Sequence, residues 1–169
     1  MHKQKAFTLL ELLITSSITA LLMLAITSLF ISFLASAYKS RISQNLRESG
    51  NNTMIKIVEM IRNANEIGSY CNADYPLDYI NLTGQDGLYT LIKIENNQIA
   101  SISAANKSYL TESSASQNHI SNLLFKCYPT PEGKNYVEVN FSLHTGSGEE
   151  DNSARSTSLD FNSGVATRN

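Results

Sequence analysis

Phe7-Thr8-Leu9-Leu10-Glu11-Leu12-Leu13-Ile14 opens an apolar run that continues to Tyr38 and carries one acid, Glu11, near its start. From Leu12 to Tyr38 there are 27 residues without a charge. About 20 apolar residues cross a bilayer as a helix, so the run is long enough to span one. A carboxylate at the edge of such a span costs roughly a few kcal/mol when it lies deep and unpaired. Glu11 is a poor choice for a plain anchor and asks for a partner. Lys3 and Lys5 precede the run and fit a cytoplasmic N-terminus under the positive-inside rule. Lys39 and Arg41, just beyond it, blunt that asymmetry.

These residues resemble the cleavage and methylation signal of type IV prepilins and type II secretion pseudopilins. The likeness covers roughly the first 35 residues, and its core is Phe7-Thr8-Leu9-Leu10-Glu11. In that family a dedicated prepilin peptidase cuts before a Phe, which becomes the N-methylated first residue, and the fifth mature residue is a Glu. Here the cut falls between Ala6 and Phe7, and Glu11 becomes the fifth residue. Two departures stand out. Ala6 occupies the position before the cut, where Gly is usual. Many major pilins carry a Pro about two-thirds through the span, where this chain has Ser28 and no proline before Pro76. Both departures resemble a minor subunit more than a major one.

The resemblance implies a leader at 1–6, a transmembrane or filament-core helix at 7–38 and an exported globular head at 39–169. It implies a single-pass protein of the bacterial inner membrane that passes into a pilus or pseudopilus. Its partners would be other pilin or pseudopilin subunits, the prepilin peptidase and the inner membrane. It also implies an assembly role for Glu11, and elementary electrostatics supplies the mechanism. After cleavage Phe7 bears a positively charged, methylated amine. In a filament of parallel, axially displaced helices, Glu11 of one subunit can meet that amine on the next. Such a pair attracts strongly in a low-dielectric setting, and breaking it leaves a buried charge unpaired.

Other readings of the same run stand beside this one. Leu34-Ala35-Ser36-Ala37 offers a small-x-small site for signal peptidase, and an uncleaved signal anchor with an incidental Glu11 is a third reading. Either would make the chain a secreted or membrane-anchored binding domain. The apolar run is about twice the usual signal-peptide core and contains Glu11, which weighs against the first of them. Ser28, Ser32, Ser36 and Ser40 recur at four-residue steps and form one narrow stripe on a helix. Small residues on a stripe let a second helix approach closely, and their hydroxyls can bond across the contact or back to their own turn.

Beyond the run the helical period continues without a proline to about Ile67. Ile42 and Leu46, then Met54, Ile57, Val58, Ile61 and Ala64, mark one apolar stripe, interrupted at Gly50-Asn51-Asn52. Gly50 reads as a bend or a weak point. After Gly68 the texture changes to short alternating segments. Leu88–Glu95 and Gln98–Ile102 flank Asn96-Asn97 as a hairpin. In Tyr136–His144 the residues Val137, Val139, Phe141 and Leu143 share one face, and Leu123-Leu124-Phe125 begins the partner across a Pro129–Gly133 turn. Ser156–Phe161 adds a last strand, while Asn106–Asn118 and Gly146–Ser158 read as surface loops. The expected class is α+β: a long N-terminal helix whose second half covers the apolar face of a small antiparallel sheet.

The chain has 169 residues and a formal charge of −2; without Lys3 and Lys5 it keeps 11 basic and 15 acidic side chains. No basic cluster remains in the head, so nucleic-acid binding has no electrostatic footprint. Cys71 and Cys127 form an even pair in the segment that the orientation sends outside, and an oxidising compartment favours one disulfide between them. Tyr70, Tyr75, Tyr79 and Tyr89 cluster around the hairpin and read as sheet packing. The histidines His2, His119 and His144 lie far apart, and no HExxH, GxSxG, P-loop or CxxC motif is present. No enzymatic site and no cofactor are expected. Glu149, Glu150 and Asp151 offer oxygen ligands, a weak calcium candidate without EF-hand spacing.

Overall fold

The computed structural model describes residues 8–68, 73–104, 106–111, 118–129, 134–145 and 157–168. They divide into two compact units, Met1–Ser40 and Arg41–Asn169. Helix α1 (Leu9–Asn63) runs for 55 residues without interruption and supplies the described part of the first unit. It ends four residues short of the expected Ile67. The Ala64 N–H bonds Ile61 O at 3.2 Å, tightening the last turn, and the Asn65 N–H leaves the helix for Thr83 O at 2.8 Å. Ile67 is buried, but in strand β1 (Glu66–Ile67). The apolar period outlasts the helix because Ala64 and Ile67 reach the same core after the chain has changed conformation.

In the second unit, α1 buries Leu46, Gly50, Thr53, Met54, Ile57 and Ile61 at three- and four-residue steps. Gly50 therefore sits inside the buried stripe and does not interrupt the helix. The ring of Phe161 lies where a Cβ on Gly50 would project. Phe161 in turn stacks on Phe141, with ring centroids 5.2 Å apart and planes 20° apart. Glycine gives up about 1 kcal/mol of helix propensity relative to Ala, and here the missing methyl makes room for an aromatic ring on the helix backbone.

The strands form two antiparallel sheets rather than one. The first is β1, β2 (Tyr79–Thr83), β3 (Tyr89–Glu95), β4 (Gln98–Ser103) and β5 (Asn106–Tyr109), in sequential order. The second is β6 (Asn118–Pro129), β7 (Asn135–Thr145) and β8 (Thr157–Ala166). The β3–β4 hairpin turns at Asn96 and Asn97, with φ 52° and 59°. Two left-handed residues are what a two-residue hairpin twisted with its strands requires, and Asn tolerates them. β7 alternates as the sequence implies, with Val137, Val139, Phe141 and Leu143 all buried. Asn122, at φ 56°, accompanies a bulge in β6 that shifts the register between Ser121 and Leu124.

Residues Ile80, Leu82, Ile92 and Ile99 from the first sheet and Leu123, Phe125 and Val139 from the second share one core with the α1 stripe. The α+β expectation is met. Three details differ from it. Part of the expected Asn106–Asn118 loop is β5, and the carbonyl of Leu110, just after it, accepts from Thr53 Oγ1 and Lys56 Nζ of α1, each at 3.4 Å. β8 extends five residues past Phe161. Tyr75, Tyr79 and Tyr89 are exposed rather than packed in a sheet, because the buried face of β2 and β3 is filled by Ile80, Leu82 and Ile92. Tyr70 and the turn residues 130–133 lie outside the described residues.

Candidate functional site

The first unit is where the sequence concentrates its unusual chemistry. Thr8 starts α1: its carbonyl accepts the Glu11 and Leu12 N–H groups at 3.1 and 3.2 Å, and its Oγ1 accepts the Glu11 N–H at 3.3 Å. Thr8 is thus the N-cap and Glu11 the third helical residue. Thr-x-x-Glu ahead of an apolar run is the capping-box pattern, a signal in Thr8-Leu9-Leu10-Glu11 that the sequence reading did not use. It fixes the first turn and sets the carboxylate at the end of the helix where negative charge is favoured.

Every side chain from Thr8 to Ser36 is exposed. Leu9, Leu13, Leu21, Met23, Phe30 and Phe33 are among the large apolar groups left bare, at 59–84% exposure. A helix that is apolar on all sides is either buried in protein or set in a membrane. No described residue of this chain covers it, and it is long and apolar enough to cross a bilayer. Glu11 is the acid of its first turn.

The hydroxyls along this helix bond to their own turns. Thr15 Oγ1 donates to Glu11 O at 2.9 Å, Ser17 to Leu13 O at 2.8 Å, Thr19 to Thr15 O at 2.7 Å and Thr27 to Met23 O at 2.7 Å. Within the proposed stripe, Ser28 Oγ donates to Ala25 O at 2.8 Å and Ser32 Oγ to Ser28 O at 3.0 Å. Back-bonding satisfies the donors inside an apolar helix and leaves a surface that is small and nearly non-polar. Ser28, Ser32, Ser36 and Ser40 are all exposed. The helix also runs unbroken through Leu34–Ala37, the small-x-small segment.

Ala6 and Phe7 lie outside the described residues, as do Cys71, Glu149, Glu150 and Asp151. Cys127 is buried on β6, and no described cysteine is a free thiol. Among the described residues no group of three or more His, Cys, Asp or Glu side chains is arranged to hold a metal. His119 and His144, 25 positions apart in the chain, meet as register partners on β6 and β7.

The family model for the prokaryotic N-terminal methylation motif matches residues 1–27. That stretch contains Ala6, Phe7, the Thr8 cap and Glu11, and ends within the exposed apolar helix. The match supports processing of the type IV prepilin or pseudopilin kind, and proteins bearing this motif are structural. No curated protein and no solved structure matches the chain.

Proposed function

We propose that this chain is a minor pilin or pseudopilin, a structural subunit of a type IV pilus or type II secretion pseudopilus. The observation that carries the reading is a methylation motif heading a helix whose side chains from Thr8 to Ser36 are all exposed and mostly apolar. Prepilin peptidase cuts between Ala6 and Phe7, and the Phe7 amine is methylated. The chain is thus the substrate of that enzyme and has no catalytic role of its own. The leader ends at residue 6, the membrane or filament-core segment is 7–38, and the head is 39–169. The helix starts in the inner membrane with its head exported, and then enters a bundle of like helices from other subunits.

Cleavage creates a cation one residue before the Thr8 cap, at the positive end of the helix dipole, where a cation is disfavoured. A carboxylate from another subunit relieves that conflict. Glu11 of an axially displaced neighbour is the group at hand, and removing one member of such a desolvated pair costs about 3–5 kcal/mol. The pair fixes the axial stagger between subunits. The stripe of Ser28, Ser32, Ser36 and Ser40 lets a neighbouring helix come close. In the head, a Cys71–Cys127 disulfide ties the segment after β1 to β6.

Glu11→Ala tests the assembly mechanism. The variant should insert into the membrane at the wild-type level and fail to co-purify with its partner subunits or to appear in filaments. Normal incorporation, by pull-down or filament imaging, would sink the proposal.

A further inference from the structure

His119 on β6 and His144 on β7 are direct cross-strand partners, so their side chains leave the same face of the sheet. Their rings face one another with centroids 5.6 Å apart and planes 30° apart, and both residues are partly buried. A third group arrives from the other sheet. Asn97, held at φ 59° in the β3–β4 turn, sets Nδ2 3.0 Å from His119 Nδ1. This arrangement has no part in the membrane helix or in core packing. An apolar pair would fill the same space without two imidazoles and an amide meeting at the joint between sheets.

We propose that His119 and His144 form a two-imidazole chelate for a divalent transition cation of the Zn2+, Ni2+ and Cu2+ group, with Asn97 as the residue that positions His119. The spacing fits. With a metal–nitrogen distance of about 2.0–2.1 Å in tetrahedral or more open geometry, two coordinating imidazoles have centroids roughly 5–5.5 Å apart. The observed centroid separation of 5.6 Å is close to that range, and turning the stacked rings about their side-chain bonds brings a nitrogen of each toward one point. The contact to Asn97 decides which nitrogen is available. With Nδ1 of His119 turned to the amide, Nε2 is the ligating atom. A half-turn of the Asn97 carboxamide presents its oxygen, which then accepts the Nδ1–H that a ligating tautomer carries. Oxygen and nitrogen of that amide are interchangeable at this contact, so the rotation requires no movement of the backbone.

Two neutral nitrogen donors and no described carboxylate select for cations that prefer imidazole and against Mg2+ and Ca2+. Water completes the coordination shell. The Irving–Williams order puts Cu2+ tightest in the set. Protons compete with the cation for both ligands, so acid opposes binding.

The test is equilibrium dialysis of the full-length chain in detergent, without a polyhistidine tag and with His2→Ala to remove the leader histidine. Dialysis against Zn2+, Ni2+ or Cu2+ at pH 7.5 should give one bound equivalent, with Cu2+ the tightest and no comparable uptake of Mg2+ or Ca2+. Binding should weaken at least ~10-fold in His119→Gln and in His144→Gln, and fall away at pH 5.5. Asn97→Ala should lose about 10–100-fold and Asn97→Asp should recover it, because the carboxylate can accept the same N–H. Wild-type circular dichroism of each variant separates lost ligation from lost fold. Zn2+ should also shift the imidazole nitrogen resonances of His119 and His144 together. Saturable uptake that survives both histidine variants overturns the proposal. So does a histidine pair that titrates with pH and takes up none of the three metals.

Discussion

Gly50→Ala should destabilise the head, although Ala is the best helix former and Gly among the worst. In an open helix the substitution would gain about 1 kcal/mol. Here the new methyl would fall within the Phe161 ring. The methyl meets the outer end of that ring, which cannot withdraw inward because one face stacks on Phe141 at 5.2 Å and Phe141 is 1% exposed. Overpacking of this kind costs about 1–3 kcal/mol. The net expectation is a loss of up to about 2 kcal/mol. For a head of this size that corresponds to a Tm lower by up to roughly 10 °C. The assay is thermal unfolding followed by near-ultraviolet circular dichroism, which reports tertiary packing. A double-mutant cycle isolates the cause. In a Phe161→Ala background the clash is gone, and Gly50→Ala should then raise Tm. A rise in the otherwise native chain would refute the idea that Phe161 dictates glycine here.

Other expectations follow from the same packing and charges. Cys71→Ser leaves the buried Cys127 sulfur in place but opens the proposed disulfide; denaturant unfolding should show a loss of about 4 kcal/mol by the loop-entropy account, less any native strain. Unchanged stability would exclude the bond. Between β5 and β3, Lys107 Nζ lies 2.6 Å from Glu95 Oε1, and the hydrogen bond from Lys107 is the largest cause holding the Glu95 carboxyl below its ordinary range. A depressed folded-state pKa means that the pair stabilises fully above the ordinary Glu range and loses its effect as pH falls through the lowered value. Lys107→Met should therefore raise the Glu95 midpoint in an NMR titration, and high salt should do the same more weakly because the pair is exposed. A midpoint indifferent to both would show that the ion pair does not persist in solution.

The membrane-length helix and the β7 strand were legible because each keeps its period over many residues. The end of α1 was not. Ala64 and Ile67 stay in phase with the helical stripe, although a strand carries the second of them. β5 gave no signal, since Asn106, Lys107, Ser108 and Tyr109 are all exposed and nothing alternates. β2 did carry one in Ile80 and Leu82 set between Tyr79, Asn81 and Thr83, hidden by the turn-rich residues around it. Gly50 read as a weak point because the residue that needs it, Phe161, lies more than a hundred positions away. In the N-terminal motif, Phe7 and Glu11 were plain from residue type, whereas the Thr8 cap went unread although the Thr-x-x-Glu spacing carries it. The His119–His144 pair depends on strand register, including the β6 bulge, and no local pattern encodes that.

The central claim is that an enzyme creates a new N-terminal cation at Phe7. Intact-mass and terminal-peptide mass spectrometry of the chain recovered from its native membrane tests this most directly. Processing by prepilin peptidase should leave a mature chain that begins at N-methylated Phe7, with residues 1–6 removed. A chain that begins at Met1 would mark a simple anchor, and one that begins at Tyr38 a secreted domain. Either result would contradict the pilin reading.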